Sequence, residues 1–143
     1  MVVHFIASRN DILNNIVNLR KIVEAIHEEG HTLAYDWVEP TYQLVKKGTK
    51  VVDLDYGRIH KESLDAIYKA DVVIADSSLP SFSVGYQVAT SLQMKKPIIM
   101  INKETVYESP FPTGIDGLLY KNYNTLCLLT NICSDYSALT GNN

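Results

Sequence analysis

Cysteine is nearly absent from this 143-residue chain. The two present, Cys127 and Cys133, stand six positions apart in a segment with helical spacing. That separation turns them to different faces of a helix, so a disulfide is not expected. Free thiols and the lack of a secretory pattern point to the cytoplasm. Basic charge is also short: 13 Lys and Arg stand against 16 Asp and Glu, for a net charge of -3. A general nucleic-acid binder carries a basic face, so no nucleic-acid partner is expected. Lys46, Lys47 and Lys50 read as a solvated turn. No apolar run approaches the roughly 18 residues a membrane-spanning helix needs, so no membrane partner is expected. The phosphate fingerprints G-x-G-x-x-G and G-K-[ST] are missing as well.

What is present is a globular composition, 46% hydrophobic and 20% charged, in a length suited to one domain spanning residues 1–143. The apolar run Val2–Ala7 predicts a buried strand. Asn10 or Asp11 is placed to cap a helix whose stripe is Ile12, Ile16, Leu19, Val23 and Ile26, and Gly30 ends it. His31–Val38 reads as a second strand, and Val38–Asp55 as a loop with a short helix. Ile59, Leu64, Ile67 and Ala70 keep helical spacing. Asp71–Asp76 is the most hydrophobic strand candidate and is expected at the sheet centre. A helix is expected over Val84–Met94 and a strand over Pro97–Ile101. A long loop over Asn102–Gly117, a short strand at Leu118–Tyr120 and a closing helix over Asn124–Leu139 complete the chain.

Strands alternating with helices imply an α/β fold, a parallel sheet of about five strands with helices on both faces. In such sheets ligands sit beyond the carboxyl ends of the strands. Three segments meet there: Ser8 to Asn10, Asp76 to Gly85, and the loop after Ile101. Arg9 suits a phosphate or carboxylate, because guanidinium matches such oxygens bidentately. Ser77, Ser78, Ser81 and Ser83 offer hydroxyls. The backbone N–H groups of Ser83, Val84 and Gly85 are expected to face an anion at a helix N-terminus. Asp76 ends its strand and suits a loop anchor that accepts backbone N–H bonds. Phe5, Trp37 and Tyr86 are candidates either for stacking on a base or for the core.

The segment from His27 to His31, H-E-E-G-H, matches the zinc pattern H-E-x-x-H. The zinc site needs both histidines on one face of a continuing helix. Gly30 interrupts that helix, so the segment reads as a polar helix end, and no metal ligand set is assigned.

The run "ADVVIADSSLPSFSVGYQVA" resembles the nucleoside 2-deoxyribosyltransferase superfamily, especially its 2′-deoxynucleoside 5′-phosphate N-hydrolase branch. There an A-D-V-V-x-A-[ED] strand leads into x-P-S-x-G-V-G-Y-E-L-G. Ala70 to Asp76, Pro80, Ser81, Val84, Gly85 and Tyr86 fit that pattern. "IHKESLDAIYKAD" and the opening "VHFIASRN" resemble two further family segments, so the likeness covers roughly Val2 to Tyr120. It implies a flavodoxin-like fold and a small-molecule partner: a nucleoside, a nucleotide or a related ribosyl ligand. It also implies a homodimer or larger homo-oligomer, and no metal or redox cofactor. Ser109 falls where the family's long loop lends a residue to a neighbouring subunit's phosphate site.

In that family the Glu after G-Y attacks C1′ of the deoxyribose. Here the position is Gln87, whose amide carries no charge. The family Asp that holds sugar hydroxyls falls at Ser63. Ser83 stands where Gly is usual, and "SRN" replaces a Gly-rich loop. These departures favour a ribosyl-ligand binding domain with weak or absent N-glycosidic chemistry. Two alternatives stay open. One is an active glycosidase or deoxyribosyltransferase, with another nucleophile or with Gln87 substituted for an original Glu. The other is a non-catalytic interaction subunit.

Overall fold

The computed structural model describes residues 1–48, 55–103, 114–123, 136–137 and 139–141. In chain order these form β1 (Val2–Ala7), α1 (Ile12–Glu28), β2 (Thr32–Leu33), α2 (Val38–Lys46), α3 (Tyr56–Lys69), β3 (Val72–Asp76), α4 (Phe82–Gln93), β4 (Ile98–Lys103) and β5 (Leu118–Tyr123). The five strands make one sheet in the order β2-β1-β3-β4-β5. Every pairing is parallel. The expected α/β architecture is therefore present, with β3 at the centre.

Strand parity distributes the side chains. Val3, Phe5, Val72, Ile74, Ile99 and Ile101 face one core with the α1 stripe, Trp37 and Val38. Ile6, Val73, Ala75, Ile98 and Met100 face the other, against Val84 and Val88 of α4. Because alternate residues point to opposite faces, His4 falls on the α4 side with Ile6. All five residues of β3 are buried, which explains its unbroken apolar run.

Several boundaries differ from expectation, each for a local reason. The second strand is two residues long rather than His31–Val38. Asp36 accepts hydrogen bonds from the amides of Val38 and Glu39, and the Trp37 indole donates to the Phe5 carbonyl at 3.0 Å. These bonds end the strand early and start α2, a short helix of the kind expected within Val38–Asp55. Asp11 precedes α1 with φ 56°, and its carboxylate accepts from the Asn14 side-chain amide instead of a backbone N–H. Helix α4 begins at Phe82, two residues early, because Ser81 caps it. Strand β4 continues to Lys103, so Asn102 belongs to the sheet rather than to a loop. Strand β5 reaches Tyr123. Of the expected closing helix, residues 136–137 and 139–140 are described and helical, with Tyr136 and Leu139 packed on the first core. Cys127, Cys133 and Ser109 lie outside the described residues. Among the described residues, no helix is long and apolar enough to cross a membrane.

Candidate functional site

Strand β1, the segments that follow β1, β2 and β3, and helices α3 and α4 line a cavity of about 420 Å³. This lies within the usual range for small-molecule sites, about 300–1,000 Å³. Arg9, Ser63, Ser81, Ser83 and Gln87 line it together. Ser63 and Gln87, on different helices and far apart in sequence, thus share one chamber.

The loops around the cavity are stitched by side chains. Asn10 donates to the Pro80 carbonyl at 2.8 Å, joining the β1 loop to the β3 loop. The Ser8 hydroxyl accepts from the Asn10 amide and is buried. Asp76 accepts from the Ser78 amide at 2.9 Å, the Asx turn expected of it. Ser78 accepts from the Lys103 amide, and Ser77 donates to the Ile101 carbonyl, binding the loop to β4. Ser8, Asp76, Ser77 and Ser78 are therefore framework residues, and none is among those lining the cavity.

At the α4 N-terminus the Ser81 hydroxyl accepts from the Val84 amide at 3.4 Å, and the Gly85 amide donates to the Ser81 carbonyl at 3.1 Å. The Val84 and Gly85 amides, expected to face a ligand, thus have acceptors on Ser81, and the Val84 side chain is in the core. Phe82 and Ser83, the first two helical positions, carry amides that have no intrahelical acceptor.

Arg9 stacks over Trp37, with its guanidinium carbon 5.1 Å from the ring centroid. Trp37 in turn stacks on Phe5, at 6.4 Å between centroids and 7° between planes. Among the described residues Arg9 forms no salt bridge. Burial lowers its pKa, and the phenols of Tyr35 and Tyr56 oppose that shift. The group stays cationic because an arginine starts so far above neutrality. Tyr86 lies outside this chamber. It sits with His60, 3.3 Å away, and with Phe82 on an adjoining cavity that shares Ser63, Ser83 and Gln87.

The residue that sequence reasoning missed is His4. Its Nε2 lies 3.2 Å from Gln87 Oε1, and the Gln87 amide nitrogen donates to the Ser83 carbonyl at 3.4 Å. An amide oxygen only accepts, so His4 carries its proton on Nε2. Among the described residues its buried Nδ1 has no hydrogen-bond partner. Burial lowers the His4 pKa, and the Gln87 bond opposes this. The ring is thus held neutral. A histidine inside an otherwise apolar strand was the available signal. Tyr35, Thr41, Tyr56 and Ile59 also line the cavity, and no motif marked them.

The lining holds Arg9 as its cation and, among the described residues, no Asp or Glu. Such a wall can hold anionic and hydroxyl groups but supplies no carboxylate nucleophile. Among the described residues, no cluster of His, Cys, Asp and Glu is arranged to hold a metal ion.

No family model matches the chain. It is 25% identical over 123 residues, 86% of its length, to the protein named "Putative 2'-deoxynucleoside 5'-phosphate N-hydrolase 1" of Thermofilum pendens, covering 82% of that relative. Its fold matches the Clostridium botulinum CMP N-glycosidase BcmB with a TM-score of 0.64 at 16% identity, over 94% of this chain and 99% of that one. It also matches the 2-deoxyribosyltransferase of Bacillus psychrosaccharolyticus with a TM-score of 0.61 at 12% identity, over 94% and 96%. The sequence is thus similar to a relative named for the branch that the motifs resemble, and the fold is shared with these two structures.

Proposed function

We propose that this deoxyribosyltransferase-like domain binds a nucleotide and leaves its N-glycosidic bond intact, or cleaves it very slowly. One observation carries the reading. Gln87 and Ser63, at the positions of the family's two catalytic carboxylates, line one chamber whose described residues include no Asp or Glu. Glycosidic cleavage through a covalent intermediate needs a nucleophile and negative charge beside an oxocarbenium-like carbon. An amide and a hydroxyl supply neither. Binding keeps its means: Arg9, Ser81 and the first two amides of α4 suit a 5′-phosphate, and the names of the relatives concern nucleosides and nucleotides.

The test is a panel of deoxynucleosides, deoxynucleoside 5′-monophosphates and ribonucleoside 5′-monophosphates, followed for free base and for thermal stabilisation. Stabilisation without base release is the expected result. Turnover at the rate of an active hydrolase overturns the reading and requires another nucleophile.

The same reading includes self-association. Tyr56, Phe82 and Tyr86 form an exposed aromatic face along α3 and α4, with Phe82 88% exposed. Patches of this kind mark interaction surfaces, and a second copy is the occupant that the family resemblance implies.

A further inference from the structure

The two substitutions that remove the family carboxylates also invert the hydrogen-bonding character of this end of the chamber. A carboxylate only accepts; a serine hydroxyl and a glutamine amide can donate. His4 decides which end of Gln87 is presented. It is 1% exposed, and its Nε2–H holds the Gln87 carbonyl oxygen at 3.2 Å. The NH₂ end is left with one long bond to the Ser83 carbonyl at 3.4 Å and a second hydrogen without a partner among the described residues. The Ser63 hydroxyl shares this wall. Where the two carboxylates would repel an anion, the chain has neutral donors.

From this we infer that the Ser63–Gln87 end of the chamber receives a phosphate ester carried on the ribose ring, at the 2′ or 3′ oxygen. This rests on the proposed nucleotide binding, with the 5′-phosphate at Arg9 and the α4 N-terminus. Arg9, Ser63 and Gln87 line one chamber, so with the 5′-phosphate at Arg9 a group esterified to the 2′ or 3′ oxygen of the adjoining ribose can reach Ser63 and Gln87. Phosphate oxygens are acceptors, which matches donors from Ser63 and Gln87. The ligand class is a nucleotide with a second phosphate on its ribose, such as a 3′,5′-bisphosphate.

The experiment is calorimetric titration of the full chain with the four ribonucleoside 5′-monophosphates and the matching 3′,5′-bisphosphates. For at least one base the bisphosphate binds more than about tenfold tighter than the monophosphate. In Gln87→Glu, and separately in Ser63→Asp, that ratio falls to about one, because a carboxylate now faces the ring phosphate. Monophosphates that bind while bisphosphates bind no tighter overturn this inference and leave the proposed function standing. A high ratio that survives both substitutions places the extra phosphate elsewhere and also overturns it. Absence of binding by every nucleotide overturns the proposed function together with the inference.

Discussion

His4 and Gln87 stand 83 positions apart in the chain and 3.2 Å apart in space, imidazole Nε2 to amide Oε1. The pairing follows from strand parity. His4 is next to Phe5, which faces the α1 core, so it faces α4. Gln87 lies one helical turn after Ser83 on the cavity-lining side of α4. A neutral donor and a neutral acceptor are thus locked together where the family resemblance places a nucleophile.

Restoring that nucleophile should restore chemistry in steps. Gln87→Glu introduces a carboxylate, and Ser63→Asp with Gln87→Glu introduces both. Base release from deoxynucleoside 5′-monophosphates should be slow in the native chain and highest in the double variant. The expected span is on the order of a thousandfold or more, the usual cost of losing groups that act at the transition state. A double variant as inert as the native chain shows that the site departs from the family in more than these residues.

Arg9→Ala should weaken binding of a nucleoside 5′-phosphate by about 10- to 100-fold, the worth of a charge-assisted hydrogen bond. Affinity for the corresponding nucleoside should change much less. Arg9→Lys should rescue incompletely, since an ammonium cannot reproduce the planar stack on Trp37 at 5.1 Å. Titration of each variant with both ligands separates the phosphate contribution from the rest.

Trp37→Phe keeps an aromatic ring but deletes the indole N–H that donates to the Phe5 carbonyl. The loss should be about 1 kcal/mol of unfolding free energy, plus a contribution from lost volume. Urea denaturation measures it. An unchanged midpoint shows that this bond does not set the β2–α2 boundary.

His4 should make stability depend on pH. Burial holds its folded pKa below the ordinary 6.5. The unfolded chain therefore binds the proton first as pH falls. The neutral ring's contribution is full above about pH 6.5 and is lost as pH drops from there through the folded pKa. Unfolding free energies at pH 7.5 and pH 5.5 should fall more in the native chain than in His4→Gln, which has nothing to titrate at that position. Equal falls assign the acid sensitivity to other groups.

Light scattering should report a dimer or larger assembly, and Phe82→Asp should shift it toward monomer by placing charge on the exposed aromatic face. A monomeric native chain at working concentrations removes the self-association reading.

Much of the architecture was legible because its signals are local. The apolar run of Val72 to Asp76 could only be a strand buried on both faces, and the stripe from Ile16 to Ile26 could only be one side of a helix. The resemblance likewise marked Gln87, after Gly85 and Tyr86, and Ser63, by its spacing from Ala70 and Asp71, and the fold brings them to one cavity. Tertiary contacts decided the rest. His31–Val38 has strand composition, yet it stops at Leu33 because Asp36 finds amides to cap and Trp37 finds the Phe5 carbonyl across the fold. The serines after β3 look alike in sequence. Packing sorted them into framework, such as Ser78 on the Lys103 amide, and cavity wall, such as Ser83. The sequence alone determined which side chains His4 and Gln87 are. That the imidazole holds the amide oxygen, and so turns the donor end of Gln87 to the ligand, depended on the parallel crossover that laid α4 over the His4 face of β1. Such a contact joins distant residues through space, and no local periodicity encodes it.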